Sequence, residues 1–152
     1  MRIVRWTIGV AALLAAPLAL AQPAGIPDRI GDYWSWTRLN IGRYTDNPTG
    51  AHPQPKDVYV NRDPAELVGP GGAPIVPFAD GTIIVKERND PGRLLVDRLY
   101  MMEKTAGAWT YRVFDRQADG AFASRSYGTE NFCRDCHRAA PTDFVFVQFE
   151  RR

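Results

Sequence analysis

Cysteine and histidine are scarce in this chain, with two of each among 152 residues. Two cysteines exclude a multi-disulfide scaffold. A structural zinc site normally draws four Cys or His donors, usually as two spaced pairs, and the chain has too few to supply them that way. Excess charge is lacking too. Setting aside Arg2 and Arg5 near the N-terminus leaves 17 basic residues against 17 acidic ones, so a basic face for nucleic acid has no compositional support. No block of like charges marks a partner. Internal repeats and low-complexity tracts are missing as well. Finally, no apolar run reaches the ~20 residues that span a bilayer. The run from Trp6 to Leu20 is about fifteen residues long and is interrupted by Pro17.

That short run has a use. Arg2 and Arg5 precede it, and Ala19-Leu20-Ala21 is a small-x-small cleavage site, which together read as a secretory signal peptide. Residues 1–21 are therefore expected to be a leader cut after Ala21, and 22–152 a single exported, periplasmic domain. An exported chain enters an oxidising compartment. Even so, a disulfide between cysteines three residues apart closes too small a loop to staple a fold.

Turn chemistry punctuates the mature part. The stretch from Asp28 to Asn40 reads as a helix starting after Pro27, with Ile30, Trp34 and Leu39 on one face and Gly31 weakening it. A loop dense in Pro, Gly and Asn follows. Strand patterns occupy 57–61, 81–88, 94–104, 109–116 and 143–150, and 119–128 extends the meander. Residues 63–67 suit one helical turn. The connections are too short for parallel crossovers. The expected fold class is therefore α+β, a mainly antiparallel sheet with a few peripheral helices. One of these helices begins near Glu130 and carries the cysteines close to the C-terminus.

Both cysteines and one histidine fall in "NFCRDCHR", residues 131–138. A thioredoxin-type motif belongs near a βαβ unit, not after a β meander. Cys-x-x-Cys-His is the attachment signature of haem c. Two thiols three residues apart reach the two vinyl groups on one porphyrin edge, and the next residue supplies the axial nitrogen. Cys133 and Cys136 are thus assigned to one covalently held haem, with His137 on its iron. For the sixth position Met101, Met102 and His52 are the available donors. The methionines suit core packing in a strand, and His52 suits exposure in a Pro-rich loop. The distal side stays open at this point.

The segments "VYVN" (58–61), "FADGTIIVKE" (78–87), "MEK" (102–104), "WTYRVFD" (109–115) and "CRDCHRAAPTDFVF" together resemble the cytochrome P-460 and cytochrome c′-beta family. The likeness runs from about residue 30 to the C-terminus. It implies a β-rich homodimer with one haem c and an open distal side that takes a small nitrogen ligand, hydroxylamine or nitric oxide. In one branch a lysine amine is crosslinked to the porphyrin and the protein oxidises hydroxylamine, passing electrons to an external acceptor. In the other branch the crosslink is missing, the distal cap is apolar, and the protein binds nitric oxide. Lys86 matches the crosslinking lysine. In an extended strand it shares a face with Ile84, opposite Val85. The alternative for Lys86 is an ordinary strand lysine with a buried stem. Phe78 is a candidate wall of the distal pocket, with core packing as its alternative. No catalytic base is singled out, since neither Asp115 nor Glu130 can be placed over the iron from sequence.

Overall fold

The computed structural model describes residues 22–40, 52, 55–90, 92, 95–125 and 129–146. The expected leader over 1–21 and its cleavage point lie outside the described residues.

Among the described residues six strands form one antiparallel sheet in chain order: β1 (Thr37–Arg38), β2 (Val58–Val60), β3 (Ile83–Asp90), β4 (Leu95–Thr105), β5 (Ala108–Arg116) and β6 (Phe122–Ser124). Two α-helices among the described residues flank it, α1 (Pro64–Leu67) and α2 (Thr129–His137). This is the mainly antiparallel α+β arrangement expected from the sequence. Two positive φ angles, at Ala106 (50°) and Gly107 (77°), make the tight turn of the β4–β5 hairpin. The twist of such a turn matches that of the strands it joins. No helix among the described residues is long and apolar enough to cross a membrane.

Both faces of the sheet are covered. Because side chains alternate along a strand, Val58, Val60, Ile84, Met102, Trp109 and Tyr111 share a front cluster with Leu39, Leu67, Phe78 and Val145. Ile83, Val85, Leu99, Met101 and Phe114 share a back cluster with Ile26, Ile30, Tyr33 and Phe122. Each such side chain, fully buried, contributes roughly 1.5–3 kcal/mol. The front is covered by α1 and by α2, which packs against β5.

The expected helix over Asp28–Asn40 is replaced by two 3-10 turns, Asp28–Ile30 and Tyr33–Ser35, leading into β1. The clusters give the reason. Ile30 and Tyr33 bury on the back of the sheet, whereas Leu39 buries on the front. The segment wraps around the β2 edge, and a continuous helix could not deliver its apolar residues to both faces. The expected strand over 143–150 also differs. Asp143 and Phe144 form a turn closed by a Thr142–Val145 bridge, and 147–150 lie outside the described residues.

Candidate functional site

α2 starts with Glu130 in its first turn and has Arg134 and His137 in its last. That arrangement opposes the charges of the helix dipole. Helical spacing places Cys133, Cys136 and His137 on neighbouring positions of one face. Both thiols are free. Cys133 is half-buried against the front cluster and Cys136 is exposed. Burial pushes the Cys133 thiol up, while the Lys86 ammonium pulls it the other way.

The His137 ring stands 5.4 Å from that of Tyr111 and 5.4 Å from that of Phe146. Its Nδ1 lies 2.7 Å from the backbone oxygen of Phe144. A carbonyl only accepts, so Nδ1 carries the hydrogen and Nε2 keeps its lone pair. Burial lowers the pKa of His137, against the Phe144 carbonyl, and the Lys86 charge lowers it further. A neutral imidazole with Nε2 available is the form that ligates metal.

Between α2 and the sheet lies a cavity of about 400 Å³. Strand register supplies its floor. One row is Ile84, Met102 and Tyr111; the next is Val58, Lys86, Tyr100 and Val113. The expected parity is seen here, with Ile84 on the front and Val85 in the back core. Lys86 lies in the front row, its Nζ 5.4 Å from the Tyr100 ring centroid. Its charge acts on both Cys133 and His137. Lys86 and the cysteine motif, distant in sequence, thus line the same cavity.

Two rows beyond the Met102 row stands Arg98, opposite Asp115. At ~3.4 Å per residue, the cationic end lies about 14 Å along the strands from the Met102 row. Arg98 and Arg125 both bond the Asp115 carboxylate. Burial raises the Asp115 pKa, and the two guanidinium bonds outweigh it and bring it below the usual range. Asp115 is therefore a structural partner of the arginines, and Glu130 is exposed on α2. Among the described residues no Asp or Glu lines the cavity.

The remaining sequence candidates separate. Met101 is 2% exposed and its side chain belongs to the back core, with the residue also bordering the cavity, whereas Met102 belongs to the front core and the cavity floor. Phe78 does not line the cavity; it packs edge-on against Trp109, with ring centroids 5.9 Å apart, in the front core. His52 lies on the cavity wall instead of in solvent, its ring 4.4 Å from that of Tyr100. Sequence reasoning missed Tyr100, Tyr111 and Arg98, and it named His52 as a possible donor but expected it to be exposed. The strand residues among them were legible in principle, since Arg98, Tyr100 and Met102 alternate onto one face; nothing in a Pro-rich loop pointed His52 inward.

The donor set suits haem c. Among the described residues no three His, Cys, Asp or Glu side chains converge as a metal site, so a bare ion has no cage. A haem needs one nitrogen donor and two thiols from the chain, and α2 presents all three. The lining is mainly apolar at one end, with Lys86, Arg98, Arg112 and Arg125 as cations, which complements an apolar macrocycle carrying two carboxylates. The buried Tyr111 hydroxyl on the lining has no hydrogen-bond partner among the described residues. A buried polar group of this kind calls for a partner within the cavity. No protein-family model matches the chain, and no curated protein matches it.

Proposed function

We propose that this chain is a periplasmic monohaem c-type protein of the cytochrome P-460 kind. Cys133 and Cys136 would hold the haem and His137 Nε2 would bind its iron, and the bound group would supply the redox chemistry for oxidising hydroxylamine or nitric oxide. The observation that carries the reading is the convergence of Lys86 and the Cys-x-x-Cys-His helix on one cavity. Bound haem supplies a redox-active iron and a conjugated ring from which electrons pass to an external acceptor. The chain supplies the rest. The Phe144 carbonyl orients His137, the front-face aliphatic side chains exclude water, and Arg98 and Arg125 offer countercharge to carboxylates. Lys86, which lines the same cavity, is the candidate for the bond to the ring, a bond its amine would form in the neutral state. His52, on the wall beside Tyr100, is a group able to accept a proton released by hydroxylamine.

A second reading, a nitric oxide binder without turnover, is favoured by the lack of a lining carboxylate among the described residues. Mass spectrometry of the trypsin-digested haem peptide separates the two. A species joining the Lys86 peptide to the Cys133–Cys136 peptide is expected for the oxidising protein, and its absence leaves the binder. A low-spin ferrous spectrum indifferent to nitric oxide would sink both and point to an electron carrier with His52 or Met102 on the iron. A Cys133→Ala, Cys136→Ala variant that retained haem through denaturation would overturn the attachment.

A further inference from the structure

The turn that follows α2 is built against local preference. Val145 N–H donates to the Thr142 carbonyl at 2.8 Å, and the two central residues, Asp143 and Phe144, have φ of 46° and 66°. Turns with both central residues left-handed favour Asn and Gly. Asp tolerates the conformation, but an aromatic residue there is an outlier that its surroundings must hold in place. Two anchors do so. The Phe144 ring packs against the front cluster alongside Cys133. The Asp143 carboxylate is gripped from two sides, with Oδ2 accepting from Lys104 Nζ at 2.6 Å and from the Phe78 N–H at 2.9 Å. This ion pair is secluded, its side chains only 4% and 14% exposed. The Lys104 ammonium also stands 5.6 Å from the Trp109 ring centroid. The product of this arrangement is the aim of one atom, because the left-handed Phe144 turns its carbonyl toward His137 Nδ1.

We propose that Lys104 and Asp143 are positioning residues for His137. Their ion pair locks the left-handed turn, the turn fixes the Phe144 carbonyl, and the carbonyl commits the His137 hydrogen to Nδ1 and the lone pair to Nε2. As an outer contact of an axial ligand, the carbonyl also sets how strongly that nitrogen donates. The inference rests on His137 being the axial ligand, and its test keeps the two ideas apart.

Lys104→Met removes the ammonium with its stem retained. Asp143→Asn removes the carboxylate charge while tolerating left-handed backbone. Arg29→Met, which breaks the exposed Arg29–Glu103 pair at 2.8 Å, controls for loss of an ion pair elsewhere. In the purified full chain the ferrous iron–histidine stretch, read by resonance Raman, should fall in both latch variants and stay put in the control. The reduced-to-oxidised ratio at a fixed potential should rise about threefold to tenfold, the range expected for one weakened hydrogen bond. If the purified chain carries no haem, the haem reading falls. The latch is then decided by ¹⁵N shifts of His137, whose Nδ1–H to Nε2–H ratio should drop by about the same factor. If Lys104→Met does not fold, Asp143→Asn decides alone. Reduced thermal stability with unmoved His137 signals would make the pair a plain fold contact and overturn the proposal.

Discussion

Replacing Tyr33 with Phe isolates one buried hydroxyl on the back of the sheet. Tyr33 is 4% exposed and donates to Glu87 Oε1 at 2.8 Å, tying the N-terminal wrap to β3 one residue from Lys86. Phe keeps the edge-on packing against Trp34 and Tyr59, at 5.4 and 5.6 Å, so no cavity opens. What is lost is a hydrogen bond to a carboxylate, worth about 1.5–3 kcal/mol. Urea titration at pH 7 should therefore show a loss of about 2 kcal/mol with an unchanged slope. The pH dependence has a definite sign. Burial, and then the Glu87 charge, raise the Tyr33 pKa well above its ordinary value of 10.0. This contribution is fully present below pH ~10 and is lost as pH rises through the unfolded value toward the folded one. The gap between wild type and variant should then shrink by up to about 1.4 kcal/mol per pH unit. A variant within 0.5 kcal/mol of wild type at pH 7, or a gap unchanged up to pH ~11, would refute the reasoning.

Three further outcomes are expected. Asp115→Asn should cost about 1 kcal/mol at neutral pH, discounted because its partners are partly exposed. Since its folded pKa is depressed, that cost is present above pH ~4 and fades as pH falls through the folded value, which acid–urea titration reads. Ala106→Asn should stabilise the β4–β5 hairpin by roughly 0.5–1 kcal/mol in thermal melts, because Asn accepts positive φ where Ala resists it. Val113→Trp places an indole on the cavity floor and should cut covalent haem per chain at least several-fold by pyridine haemochrome absorbance, while circular dichroism still reports the sheet.

The strand pattern was legible because alternation is a short-range signal. Val58–Val60, Ile83–Asp90 and the β4–β5 hairpin sit where the apolar periodicity and turn residues put them. Helix α2 was legible for a related reason, since Cys133, Cys136 and His137 recur at helical spacing. The N-terminal segment was misread because the same apolar residues fit a helical face and a wrap around a sheet edge. Only the presence of a back cluster for Ile30 and a front cluster for Leu39 distinguishes them. The left-handed Asp143 and Phe144 were illegible, because their conformation is imposed by Lys104, Phe78 and His137 and not by their own preference.

Sequence by itself determined the antiparallel meander, the parity that sets Lys86 beside Ile84, and the Cys-x-x-Cys-His spacing on which the proposal of haem c rests. Each of these is written in neighbours a few residues apart. Tertiary structure decided that α2 covers the face bearing Lys86, that His52 lines the same cavity, and that the Phe144 carbonyl faces His137. Those pairings join segments far apart in the chain. They are selected by which apolar surfaces can be buried together, a condition that no local stretch of sequence states.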